Sequence, residues 1–127
     1  MVIDPSAIAA ILFREADWEV MANAIERDPI RWIAMPSALE LHMIVEGRLG
    51  DEGVRELELF LLKAGIQKVV MNEKQLEWAR RAFHKFGKGR HPAALNFGDC
   101  FSYALAKATG EKLLFKGADF LRTDLNF

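Results

Sequence analysis

Cysteine is almost missing from this chain: Cys100 stands alone among 127 residues. One thiol excludes an internal disulfide and any multi-cysteine zinc site, and it agrees with a reducing, cytoplasmic compartment. Long hydrophobic runs are missing as well. Charge interrupts every apolar stretch well before the roughly 20 residues needed to cross a bilayer, so no membrane span is expected. The opening segment, MVIDPSAIAAILFRE, has no basic residue ahead of its apolar run and carries Asp4, which argues against a signal peptide. Nor is there an excess of charge of one sign. Lys and Arg number 17 against 18 Asp and Glu, a formal net charge of −1. The field of the whole protein therefore cannot draw in a polyanion, and any such binding has to come from a local patch. The segment HKFGKGRH (84–91), with Lys85, Lys88 and Arg90, is the patch to note.

What is present is a hydrophobic content of 51%, enough for a single domain over 1–127 to bury a core without staples. Short β-type runs at 1–3, 30–35, 67–71 and 112–116 alternate with helical patterns. The helices expected are 6–14, 17–27, one opened by Pro36 and closed by GRLG, then 51–63, 73–86 and 99–109. In the segment 73–86 the apolar stripe reads Leu76, Ala79, Phe83 and Phe86. Strands separated by helices predict parallel crossovers and a doubly wound α/β sheet. The helices 17–27 and 51–63 carry enough apolar surface to offer a partner a groove.

In open parallel sheets, ligands bind beyond the carboxyl ends of the strands. Asp4 follows the first run, Glu40 falls in the first helical turn after the second, and Asp119 lies a few residues past the last. Asp99 opens the helix that follows the loop 87–98. Each acid also has a purely structural reading. Asp4 before Pro5 is a good helix cap. Ser37 and Glu40 have capping-box spacing. Asp99 suits a helix dipole, and Asp119 suits a turn. Together they weigh differently, because carboxylates gathered on one edge repel unless protons or a cation compensate them. Oxygen-only ligands at this density suit Mg²⁺ or Mn²⁺. Such ions serve phosphodiester hydrolysis by lowering the pKa of a water and neutralising charge on the phosphoryl group. Cys100, about 100° around the helix from Asp99, reads as a small buried hydrophobe. A haloacid-type phosphatase is disfavoured because DPS lacks the second acid of a D-x-D pair.

The segments VIDPS, SALEL and above all GKGRHPAALNFGDCFSYALAKATGEKLLFKGADFLRTD resemble the PIN-domain ribonucleases, in particular the VapC-type toxins. The likeness spans essentially the whole chain. It implies a PIN-like three-layer α/β fold, with a central parallel sheet of four to five short strands and helices on both faces. It implies an Mg²⁺- or Mn²⁺-dependent endoribonuclease cutting single-stranded RNA regions at an acidic site, and leaving a 5′-phosphate. On this chain the site residues are Asp4, Glu40 and Asp99, with Asp119 as a more variable fourth acid and Asp124 as an outside candidate. A homodimer and a cognate antitoxin partner are implied too. One departure stands out: Pro5 replaces the serine or threonine that generally follows the first aspartate, leaving Ser6 as a stand-in. That departure keeps open a second reading, a catalytically weak or inactive PIN-like module that binds RNA or a partner. Asn96 is expected to orient the loop that delivers Asp99. Arg90, with Lys88 and Lys85, is expected on the RNA backbone, against the alternative of a solvated loop. His42, His84 and His91 match no zinc spacing.

Overall fold

The computed structural model describes residues 1–126. Its elements run β1 (Val2–Ile3), α1 (Pro5–Leu12), α2 (Trp18–Arg27), β2 (Trp32–Ala34), α3 (Met35–Lys63), β3 (Gln67–Val69), α4 (Glu73–Phe86), α5 (Phe97–Thr109) and β4 (Leu113–Leu114), followed by a 3-10 turn at Asp119–Arg122. All four strands pair in parallel in the order β3-β2-β1-β4. The chain thus winds one way from β1 to β3 and returns to the other side of β1 for β4. That reversal opens a crevice beyond the carboxyl end of β1, the place where open α/β sheets bind ligands.

The period-2 alternation of the strands sorts the core into two layers. Ile3 and Ile33 point to the face covered by α1, α2 and α3, where Ile8, Leu41 and Leu57 are fully buried. Val2, Ala34 and Leu113 point to the opposite face, against Phe86, Tyr103 and Leu105 of α4 and α5. The sheet is therefore sandwiched as the sequence pattern predicts, with strands of two or three residues. The strands end early because helices take over at once: Met35, in the predicted second run, already belongs to α3.

Two details differ from expectation. Helical hydrogen bonding continues through the segment expected as two helices, yet Gly50 sits at φ 66° and ψ −159° and breaks the helical path. His42 and Glu58 would lie about 24 Å apart on a straight helix, but their side chains meet, so the two arms of α3 fold back on each other. The second difference concerns α4. Its buried face is Gln75, Ala79, Ala82 and Phe86, whereas Leu76 and Phe83 are 50% and 43% exposed. Small residues at 79 and 82 let α4 lie close against α5, and the larger apolar side chains are left flanking that contact. No helix among the described residues is long and apolar enough to cross a membrane.

Candidate active site

Asp4 is the residue at which β1 ends and α1 begins, and only 6% of it is exposed. Its Oδ2 accepts the Ser6 N–H at 3.0 Å, the usual bond of a helix cap, with Pro5 preset for the first turn. Its Oδ1 accepts the Ser102 hydroxyl at 2.6 Å, a side chain of α5 that is itself fully buried. Burial pushes the Asp4 carboxyl above the ordinary carboxylate range. The bonds from Ser102 and Ser6 work against that rise, and the negative charge of Asp119 adds to it. Ser6 also accepts the Lys116 N–H at 3.0 Å, tying α1 to the segment that follows β4.

Glu40 does not act as a capping-box residue. The backbone turns helical at Met35 with Ala34 as an uncapped N-cap, which moves Glu40 into the second turn and frees its carboxylate. Ser37, one turn earlier, is buried and its hydroxyl has no hydrogen-bond partner among the described residues. The Glu40 carboxylate lies against Gly98 in the first turn of α5. A Cβ there would stand 2.7 Å from Glu40 Cδ and closer still to Oε2, so only glycine permits this approach. Burial raises the Glu40 pKa, and the charge of Asp4 raises it further.

Asp99 and Asn96 bond each other's backbone: the Asp99 N–H donates to Asn96 Oδ1 at 2.9 Å, and the Asn96 N–H donates to Asp99 Oδ2 at 3.0 Å. The helix accordingly starts at Phe97, two residues before the expected position. The Asp99 carboxyl is pushed up to about 6, first by burial and then by repulsion from Asp4, Asp119 and Glu40, against the lowering effect of the Asn96 N–H. Asp119 is exposed at the start of the 3-10 turn and acts on Asp4 and Asp99 through space. Asp124 stands apart. Against an opposing effect of burial, Lys107 at 2.9 Å and the Tyr103 hydroxyl at 2.7 Å hold its carboxyl below the ordinary range.

Four acids thus share one electrostatic neighbourhood, delivered by β1, α3, α5 and the segment after β4. Among the described residues, no three His, Cys, Asp or Glu side chains stand close enough together to form a metal cage. Mg²⁺ rarely uses such a cage. It keeps several waters and takes one or two carboxylates directly, and the all-oxygen donors at this edge fit that mode.

The cations fall elsewhere, and not together. Arg90 lies with its guanidinium 5.4 Å from the Phe83 ring centroid and borders an apolar groove of about 480 Å³ lined by Leu76, Phe83, Phe97 and Phe101. Lys85 and Arg81 border a different cleft on the other flank of α4, and Arg80 and His84 border both. Lys88 is exposed in the loop. Sequence reasoning missed Ser102, Gly98 and the two α4 arginines. Ser102 left a usable signal, since it follows Asp99 by three residues and so shares its helix face, and so did Arg81, one turn before Lys85 on the expected helix 73–86. Cys100 is buried, its Sγ donates to the Asn96 carbonyl at 3.3 Å, and burial with the neighbouring Asp99 charge pushes its thiol up to about 11. It is a poor nucleophile.

Comparison with known proteins adds an independent line. A PIN-domain family model matches residues 1–126. A ribonuclease VapC of Mycolicibacterium smegmatis is 49% identical over 125 residues, covering 98% of this chain and 97% of that protein. Ribonuclease VapC30 of Mycobacterium tuberculosis is also 49% identical, covering 98% and 95%. In structure, the fold matches the crystal structure of Mycobacterium tuberculosis VapC20, a sarcin-ricin loop cleaving toxin, with a TM-score of 0.78 at 15% identity over 98% of this chain and 95% of that one. By full-length match to the family model and by identity to these relatives, the chain belongs to the PIN-domain family, in its VapC ribonuclease branch.

Proposed function

We propose that this protein is a single-domain, Mg²⁺- or Mn²⁺-dependent endoribonuclease toxin that hydrolyses phosphodiester bonds in single-stranded RNA regions and acts in the cytoplasm. The observation that carries the reading is the convergence of Asp4, Glu40 and Asp99 from three separate elements on the crevice beyond β1, where burial and mutual repulsion raise all three pKa values. Carboxylates gathered in this way repel one another unless protons or a cation compensate them, and a divalent cation does so at neutral pH. Asp4 and Asp99, with Glu40 and Asp119, would hold the ion, in part through water. When bound, such an ion lowers the pKa of a water and neutralises charge on the phosphoryl group. The chain's own work is placement. Ser102 and Ser6 fix both oxygens of Asp4, Asn96 fixes one oxygen of Asp99, and Gly98 leaves room for Glu40.

Pro5 removes a hydroxyl, yet Asp4 still receives one from Ser102. This supports an active enzyme over an inactive binding module. A cognate antitoxin and a second copy of the chain are the proposed protein partners. Two surfaces support them. One is the apolar groove bearing Phe97, which is 81% exposed; the other is the part of α3 bearing the exposed Leu59 and Leu62, one turn apart. The test is cleavage of unstructured RNA by purified protein and by Asp99→Asn, with Mg²⁺ or EDTA. The expected result is cleavage only by the wild type and only with the ion. Equal activity of the two proteins, or activity in EDTA, would overturn the reading.

A further inference from the structure

An acidic edge repels the polyanion it is meant to cut, and a net charge of −1 gives no general attraction. Cations close to the edge must therefore hold the substrate. A cleft of about 580 Å³ between α4 and α5 supplies them in Arg80, Arg81 and Lys85, beside His84. Its opposite wall includes Tyr103, which lies one helical turn, roughly 6 Å, along α5 from Asp99 and about 40° around it. Two acids also line the cleft. Asp124 is already neutralised by Lys107 at 2.9 Å. Glu77 forms no ion pair among the described residues, and neither do Arg80, Arg81 or Lys85. The cations are positioned by rings instead. The Arg81 guanidinium lies 5.1 Å from the Trp78 centroid, and the Lys85 ammonium lies 5.1 Å from that of Phe86. Cation–π contacts of this kind orient a charge without cancelling it.

We infer that this α4–α5 cleft binds the phosphate backbone of the RNA substrate and leads it toward Asp99, an inference that rests on the ribonuclease reading. Charge complementarity selects the occupant. Arg80, Arg81 and Lys85, without carboxylate partners among the described residues, suit phosphates, whereas the groove on the other flank of α4, which Arg80, His84 and Arg90 also border, is walled mainly by Leu76, Phe83, Phe97 and Phe101 and suits apolar surface. The half-buried Trp78 adds an aromatic edge of the sort unpaired bases stack on.

The experiment measures binding of a fluorescently labelled polyuridylate oligomer by anisotropy, in EDTA, across a range of salt concentrations. Each phosphate contact contributes about 0.7 to the slope of log affinity against log salt on single strands. The Arg81→Gln/Lys85→Gln double variant is expected to lose about 1.4 of that slope and to bind about tenfold more weakly at physiological salt. An Arg27→Gln/Arg55→Gln variant, with the same change in net charge on exposed positions of α2 and α3, is expected to keep the slope. An unchanged slope in the first variant, or an equal loss in the second, overturns the inference. So does an unchanged slope accompanied by altered antitoxin inhibition or altered mass in solution, which would make the cleft a protein interface. Because binding is read without metal, RNA binding with no cleavage would count against the ribonuclease reading alone. Cleavage with an unaltered slope would count against the cleft alone.

Discussion

The acidic edge and the cationic crest of α4 lie on neighbouring elements but are built in opposite ways. At the edge two of the acids are tied down, Asp4 by Ser102 and Ser6 and Asp99 by Asn96, while Glu40 lies against Gly98. On the crest Arg80, Arg81 and Lys85 are exposed, without carboxylate partners among the described residues, and Arg81 and Lys85 lie over aromatic rings. The contrast fits the tasks proposed for them. A site that positions reacting atoms has to be rigid to within a fraction of an ångström, while a track for a flexible polyanion needs charge more than geometry. Changes at the edge should therefore act on turnover and ion binding, and changes on the crest on salt-dependent affinity.

The largest effect is expected from Asp99→Asn, which removes a charge that the site is built around. RNA cleavage should fall by about 10³-fold or more, equivalent to about 4 kcal/mol of lost transition-state stabilisation, with the circular dichroism spectrum retained. Next comes Gly98→Ala. It removes no acid, but its Cβ would overlap the Glu40 carboxylate. That carboxylate is the end of a flexible side chain and can swing aside, so stability should change little while cleavage drops about tenfold or more as Glu40 is displaced; wild-type activity here would mean that Glu40 has no role at this place. Ser102→Ala should cost about tenfold through a less well held Asp4, and Ser102→Thr should restore most of it. Failure of threonine to rescue would reduce Ser102 to a packing residue.

A smaller effect concerns pH. The native Asp99 carboxyl titrates at about 6, above its ordinary value of 3.8. Between those values the native state holds a proton that the unfolded chain has released, so this group's contribution to stability falls as pH rises through about 4 to 6. Groups with lowered values, Asp28, Glu58 and Asp124, slope the other way. The comparison must therefore be between the wild type and Asp99→Asn in thermal melts without metal. The variant should gain a few degrees relative to the wild type at pH 7.5, about half of that at pH 5 and little near pH 3.5. The smallest effect belongs to Cys100→Ala, with cleavage within about twofold of wild type and a stability loss of about 1 kcal/mol.

Much of this is legible in the sequence because strand ends are. Asp4, Glu40 and Asp99 stand where short apolar runs or loops give way to helices, and parallel topology brings such positions to one edge. The capping-box spacing of Ser37 and Glu40 misleads because a pattern of hydroxyl and acid three apart does not reveal where the backbone turns helical. Here that point is Met35, and the box never forms. Ser102 is hidden inside an apolar helix, since a buried serine reads as filler until its partner 98 residues away is known. The orientation of α4 escapes for a related reason. Periodicity counts apolar residues, and it cannot tell that Ala79 and Ala82 pack while Leu76 and Phe83 face outward. The arginines at 80 and 81 share the helix 73–86 with Lys85, and Arg81 stands one turn from it, but that they wall a cleft with Tyr103 becomes visible only once α4 and α5 are set side by side.

The central claim is that the four acids form a site for a hard divalent ion. Calorimetric titration of Mn²⁺ into the wild type and into the Asp4→Asn/Asp99→Asn double variant tests it without recourse to activity. Saturable binding by the wild type that disappears in the variant is the predicted result. Equal binding by both proteins, or none by the folded wild type, would contradict it.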